Sequence, residues 1–134
     1  MIPRTVLVVD DEAPLRRVLE RSLSRHGIRM IGAGSAETAY ELLATEHPDA
    51  ILLDIRLPTM SGLALYLAIV HRWPRFDGRI AIMTGDADAD EVRTWLERHR
   101  CAVIRKPFNL HEVLDWLALT ARADQERERG GAEA

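Results

Sequence analysis

Five short apolar runs alternate with five longer segments of helical period along nearly the whole chain, and few folds accommodate that rhythm. Thr5 to Val9 is a β-branched run without polar alternation, as in a strand covered on both faces. Pro14 sits where the first turn of a helix tolerates it, and Leu15, Val18, Leu19 and Leu23 follow at helical spacing until Gly27 stops them. Ile28 to Ile31 forms a weaker second strand. Ser35 can cap a second helix whose Ala36, Ala39, Tyr40 and Leu43 make one apolar stripe. Beyond Pro48, Ala50 to Leu53 is a third buried strand that ends on Asp54. Leu57 to Gly62 reads as a loop, followed by a helix from about Leu63 to Arg72. Pro74 and Gly78 turn the chain into Ile80 to Met83, which ends on Thr84. After a loop from Gly85 to Ala89, Val92, Trp95, Leu96 and His99 give a fourth helical stripe. Cys101 to Ile104 makes the fifth strand, ending near Lys106-Pro107. Asn109 and Glu112 have the spacing of a capping box for a last helix faced by Leu110, Val113, Leu114 and Leu117.

Strict strand–helix alternation predicts a parallel sheet with helices on both faces. The 134 residues suit one hydrophobic core. From Ala121 the composition turns to charge, glycine and alanine. The domain is therefore expected over 1–122, with 123–134 as a frayed helix end, a linker stub or a free terminus. A formal net charge of -3 advertises no nucleic-acid surface. The apolar runs are too short to span a bilayer, and the Met-Ile-Pro-Arg start has no signal-peptide pattern. The single cysteine, Cys101, excludes an internal disulfide and fits a cytoplasmic location. The five histidines are scattered, and none pairs with a cysteine at metal-ligand spacing.

Right-handed crossovers gather ligands at the carboxyl ends of parallel strands. Those ends carry Asp10 and Asp11, Asp54, Thr84 and Lys106. Three carboxylates brought together repel unless a cation joins them, and ligation by oxygen alone suits Mg²⁺. Asp54 can then act as a nucleophile toward phosphorus. Transfer through a loose transition state needs little beyond positioning and charge neutralisation, which Mg²⁺, the Lys106 ammonium, the Thr84 hydroxyl and loop N–H groups would supply. Lys106 is the one lysine among 18 basic residues, so its place at this strand end is hard to credit to composition. A lysine offers a compact, mobile point charge that arginine's planar fork does not replace.

With these residues in view a resemblance emerges. Val6-Leu7-Val8-Val9-Asp10-Asp11-Glu12 resembles the opening of response-regulator receiver domains of bacterial two-component systems. Leu52-Leu53-Asp54-Ile55-Arg56-Leu57-Pro58 with Met60-Ser61-Gly62 resembles their phosphorylation-site strand and loop. Met83-Thr84-Gly85 and Lys106-Pro107-Phe108 resemble the two remaining motifs. Each motif is weak alone, but four in order at four strand ends are specific. The resemblance covers about residues 4 to 120. It implies a chemotaxis-regulator-like, flavodoxin-like doubly wound (βα)5 fold with parallel sheet order 2-1-3-4-5. It also implies Mg²⁺ held by Asp11, Asp54 and the backbone carbonyl of Arg56, with Asp10 acting through water. Asp54 would be the phosphoacceptor, Thr84 and Lys106 would contact the phosphoryl group, and the Lys106-Pro107 bond would be cis. The donor would be a phosphohistidine on a histidine kinase or histidine phosphotransfer protein. No direct nucleic-acid or membrane partner is expected, and the molecule should be a monomer or a weak phosphorylation-dependent dimer.

Several positions admit a plainer reading. Val103 stands where many family members carry an aromatic ring, and is expected to be a buried or half-buried strand valine. Asp10-Asp11 could serve as a helix N-cap with a first-turn charge. Arg56 and Asp86 could pair across the site mouth, or remain two solvated loop charges. Arg16, Arg17, Arg21 and Arg25 read as the solvated face of the first helix, which in receivers often meets the kinase. Trp95 and Trp116 read as fillers of packing seams, with Trp116 partly exposed on an output or dimer face. Gly32-Ala33-Gly34 lacks the third glycine of a dinucleotide fingerprint and opens the wrong unit.

Two rival functions remain. An aspartate-nucleophile phosphatase of the dehalogenase type would need a second acid two residues after the nucleophile, where Arg56 stands, and a cap segment. A pseudo-receiver acting as a binding module would not require the complete acidic, threonine and lysine set. Both a free-standing regulator and an N-terminal receiver fit the Met1 start and charged tail.

Overall fold

The computed structural model describes residues 5–85, 89–99 and 101–133, with side chains as far as Arg122. Its strands are β1 (Thr5–Val9), β2 (Arg29–Ala33), β3 (Ala50–Asp54), β4 (Ile80–Thr84) and β5 (Ala102–Arg105). Its helices are α1 (Ala13–Ser24), α2 (Ala36–Thr45), α3 (Gly62–Arg72), α4 (Asp90–His99) and α5 (Leu110–Glu133). All four strand pairings are parallel, in the order β2-β1-β3-β4-β5. The expected flavodoxin-like doubly wound (βα)5 arrangement is thus the one observed.

Alternation along the strands divides the core in two. Leu7, Val9, Ile51, Leu53, Ile80 and Ile82 face α2 and α3, packing on Ala39, Leu43, Leu65 and Ile69. Val6, Val8, Ala50, Leu52, Ala81 and Met83 face the other way, toward Leu19 and Leu23 of α1 and Val113, Trp116 and Leu117 of α5. Both faces of β1, β3 and β4 are covered, which is why their sequences run apolar without alternation. β2 lies at the edge, and its weaker pattern follows from exposure of Arg29 and Gly32.

Local chemistry sets the element ends. Ser35 Oγ accepts the Thr38 N–H at 3.2 Å, and Asn109 Oδ1 accepts the Glu112 N–H at 3.1 Å, as the sequence suggests. Gly27 takes a left-handed φ of 74° while the Ile28 N–H closes back on the Leu23 carbonyl at 3.0 Å, ending α1. Asp49, just before β3, anchors the start of β1, its N–H donating to Thr5 O at 2.8 Å and its carboxylate accepting the Thr5 N–H at 3.0 Å.

Three packing expectations change. Val18 is 61% exposed, because the buried line of α1 runs through Leu19 and Leu23. Tyr40 lies at the surface, its ring 5.0 Å from that of Trp73. Trp116 is buried in the α5 seam beside Leu117, more so than a partly exposed output residue would be. Trp95 does fill a seam, meeting Tyr66 edge-on at 5.0 Å. α5 runs on to Glu133, through the charged segment.

The two α1 residues give a direct contrast in a urea titration. Leu19→Ala should cost about 2–5 kcal/mol, whereas Val18→Ala should stay within about 0.5 kcal/mol of wild type. Equal losses would contradict the observed orientation of α1.

Candidate functional site

Register brings the strand ends level. Val9 pairs with Leu53, Asp54 with Met83, and Thr84 with Arg105. Asp10 and Asp54, each one residue further on, arrive at the same height, and Lys106 follows directly after β5. The Lys106 N–H donates to the Thr84 carbonyl at 2.8 Å, and the Lys106-Pro107 peptide is cis.

Lys106 Nζ donates to Asp10 Oδ2 at 2.7 Å and to Asp54 Oδ2 at 3.2 Å. Asp10 is fully buried, and its Oδ1 accepts the Glu12 N–H at 2.8 Å. Asp54 Oδ1 accepts the Arg56 N–H at 3.2 Å. Carboxylate oxygens of Asp10, Asp11 and Asp54 lie within 4.8 Å of one another, with Asp11 exposed. Neither Asp10 nor Asp11 is an N-cap; that position of α1 is Glu12, which makes no side-chain capping bond. The plainer reading of the acidic pair therefore fails. Thr84 is buried, and a cleft of ≈ 390 Å³ opens between Asp11, Asp54, Arg56, Thr84 and Lys106.

The loop after Asp54 closes through a glycine. The Gly62 N–H donates to the Ile55 carbonyl at 2.7 Å. A Cβ there would collide with the Asp54 carbonyl oxygen and stand 2.8 Å from Ile55 Cα. Only glycine lets α3 begin so near the acidic residue. Ser61 caps that start, its Oγ accepting the Leu63 N–H at 3.1 Å. Thr59 Oγ1 donates to the Glu37 carboxylate, tying the loop to α2 and holding the Glu37 pKa below its usual value.

Burial raises the Asp54 pKa, and the nearby Asp10 charge adds to the rise against the opposing Arg56 N–H and Lys106 ammonium. Burial alone would lower the Lys106 pKa, but the Asp10 hydrogen bond and the Asp54 and Asp10 charges outweigh it, so the net shift is upward. The site therefore holds one ammonium among three carboxylates. Among the described residues it offers oxygen donors and no nitrogen or sulfur ligand, a set that fits a hard divalent cation such as Mg²⁺.

Among known proteins, the family described as response regulator receiver domain matches residues 6–118. The chain belongs to that family. It is 36% identical over 118 residues to the DNA-binding transcriptional regulator NtrC of Escherichia coli, a match covering 88% of this chain and 24% of NtrC. It is 31% identical to the phosphate regulon transcriptional regulatory protein PhoB of Pseudomonas aeruginosa, over 91% of this chain and 53% of PhoB. The chain thus spans about a quarter of the length of its NtrC relative. A CheY-like receiver domain protein from Methanospirillum hungatei superposes with a TM-score of 0.79 at 23% identity, covering 94% of this chain and 98% of that one. TrrA of Thermotoga maritima, solved in complex with Mg²⁺ and BeF, superposes with a TM-score of 0.75 at 25% identity, covering 87% and 98%.

This receiver is accordingly a phosphoacceptor signalling domain of two-component systems. Asp11, Asp54, Arg56, Thr84 and Lys106 line its cleft, and Asp10 lies buried beneath it, bonded to Lys106. Val103 is a half-buried residue of β5. Asp86 lies outside the described residues, so a bridge from it to Arg56 is not described. Arg17, Arg21 and Arg25 are exposed as expected. Arg16 is not part of that solvated face: it is half-buried, and its Nη1 donates to the Asp10 carbonyl at 2.6 Å. No helix among the described residues is long and apolar enough to cross a membrane.

The raised Asp54 pKa has a definite sign. The fold favours the protonated carboxyl, so the Asp54 contribution to stability is present at low pH and lost as pH rises through its folded pKa. Metal-free Asp54→Asn should therefore melt above wild type at neutral pH, with the gap closing in acid. Mg²⁺ at a hundred times its dissociation constant should stabilise wild type by about 2.7 kcal/mol. The same Mg²⁺ concentration should do much less for Asp11→Asn. A thermal melt series in pH and Mg²⁺ checks both; an Asp54→Asn protein less stable than wild type throughout would contradict the electrostatic reading.

Proposed function

We propose that this receiver takes a phosphoryl group onto Asp54 from a phosphohistidine on a histidine kinase or histidine phosphotransfer protein, in a Mg²⁺-dependent reaction. The observation that carries the reading is the Lys106 ammonium seated between the Asp10 and Asp54 carboxylates at the floor of an open cleft.

Asp54 supplies the attacking carboxylate oxygen. As its bond to phosphorus forms, the phosphorus–nitrogen bond of the donor breaks and the imidazole nitrogen keeps the electron pair. Lys106, already bonded to Asp54, stays within reach of the incoming phosphoryl oxygens, and Thr84 provides a hydroxyl donor from the next strand end. Asp11, Asp54 and the Arg56 carbonyl would hold Mg²⁺, with Asp10 acting through water. The cation would supply neutralisation of the phosphoryl oxygens. Support comes from the all-oxygen acidic cluster and from the likeness to TrrA, which was solved with Mg²⁺ and BeF.

The protein is then not a turnover enzyme but a switch that assists its own phosphorylation and autodephosphorylation. Its location is cytoplasmic, where such donors reside, and its output is a changed surface that a downstream protein or output domain reads. DNA binding belongs to NtrC, most of whose length this chain does not cover.

Intact mass after incubation with acetyl phosphate, with and without Mg²⁺, tests the proposal. Wild type should gain one phosphoryl group only with Mg²⁺, and Asp54→Asn none. No gain under conditions that label a control receiver would leave a pseudo-receiver working through a constitutive binding surface.

A further inference from the structure

Gly32-Ala33-Gly34 finds no use in nucleotide binding, yet its two glycines face one side chain. A Cβ at Gly32 would stand 3.4 Å from Arg16 Cδ, and one at Gly34 would stand 3.3 Å from Arg16 Nη1. Neither glycine has the left-handed φ seen at Gly27 and Gly78. What they provide is room, a bare track along the end of β2 on which the arginine stem lies.

At the end of that track the guanidinium meets the Asp10 carbonyl at 2.6 Å. A charged donor makes this bond roughly twice as strong as a neutral one. The carbonyl belongs to the peptide joining Asp10 to Asp11, so holding it fixes the plane from which the Asp11 side chain departs. The rest of the turn is pinned around it. The Asp10 N–H donates to Ala33 O at 3.0 Å, the Glu12 N–H to Asp10 Oδ1 at 2.8 Å, and the Arg16 N–H to Glu12 O at 3.1 Å. One arginine thus clamps the acidic turn from both ends, by its backbone at Glu12 and by its side chain at Asp10.

We infer that Arg16 is a positioning residue for the acidic pocket: seated over Gly32 and Gly34, it fixes the Asp10–Asp11 peptide and so sets the affinity for the divalent cation. The link from that affinity to phosphoryl transfer rests on the phosphoacceptor reading of Asp54. The affinity itself does not.

Mg²⁺ affinity is measured by calorimetry on the unphosphorylated chain, alongside the rate of labelling by acetyl phosphate. The variants are Arg16→Ala, Arg16→Lys, Gly34→Val and the Arg16→Ala/Gly34→Val double, each checked for folding by circular dichroism. Loss of such an outer contact typically weakens metal binding by about 10–100-fold, and that is the drop expected for Arg16→Ala. Arg16→Lys, which keeps a cationic donor, should recover part of it. Gly34→Val should weaken binding by crowding the guanidinium, and in the Arg16→Ala background it should add little, because the two changes remove the same contact. Labelling of Arg16→Ala should be slow at low Mg²⁺ and recover toward wild type as Mg²⁺ is raised. Should Arg16→Ala not fold, weakened binding in Gly34→Val with a smaller loss in Arg16→Lys supports the inference, and wild-type affinity in both overturns it. Wild-type affinity in folded Arg16→Ala, or Arg16 and Gly34 effects that simply add, also overturns it. A wild-type chain that binds Mg²⁺ but never labels would sink the phosphoacceptor reading and leave the calorimetric result on Arg16 standing.

Discussion

One ammonium between two buried carboxylates organises this protein. Lys106 reaches Asp10 and Asp54 at once, from the end of a strand three places removed from β1 across the sheet. Two carboxylates about 4 Å apart at an effective dielectric of about 20 would repel by about 4 kcal/mol, a large share of a small domain's stability. The carboxyl ends of β1, β3 and β5 can therefore lie together only with positive charge among them. The raised pKa of Asp54 indicates that one ammonium does not fully offset burial and the neighbouring Asp10 charge. A divalent cation held by the proposed acidic set would offset the remaining imbalance.

The scaffold around that point is built to keep it from relaxing. Both faces of β1, β3 and β4 are packed, so the strand ends cannot drift apart without opening one of the two cores. Gly62 brings the start of α3 against the Asp54 carbonyl, and Thr59 ties the same loop to Glu37 on α2. Arg16 clamps the opposite side through the Asp10 carbonyl. Rigid elements thus fix the acidic residues, while the cleft itself stays open for a donor.

Much of this was legible in the sequence because it rests on periodicity and on residues at strand ends. The unbroken apolar runs of β1, β3 and β4 declare coverage on both faces, and alternation with helices then dictates a parallel sheet. Asp10, Asp11, Asp54, Thr84 and Lys106 follow from the rule that function collects at carboxyl ends. What escaped depends on distances between segments. Arg16 looked like one of four solvated arginines, since nothing in helical spacing says that a long stem will turn back over β2. The signal was there in Gly32-x-Gly34, two side-chain-free positions at and just past the end of an edge strand, but it points to a partner only once α1 is seen against β2. Val18 fits the α1 stripe by count and misses it by angle, because an i, i+3 step leaves it on the flank of a narrow buried line. Tyr40 fails for a different reason: it meets Trp73 at the surface rather than the core beneath α2.

Family membership rests on residues 6–118, and the geometry supports the proposal that Asp54 is the carboxylate that reacts. Asp54 combines burial, the Lys106 contact and a position on the open cleft, whereas Asp10 is sealed beneath and Asp11 is exposed. Borohydride reduction of the acetyl-phosphate-treated chain, followed by peptide mass mapping, tests this most directly, since it converts an aspartyl phosphate to homoserine. Homoserine at position 54 alone is the predicted result. Homoserine at Asp10 or Asp11, or phosphate retained on a histidine, would contradict the account.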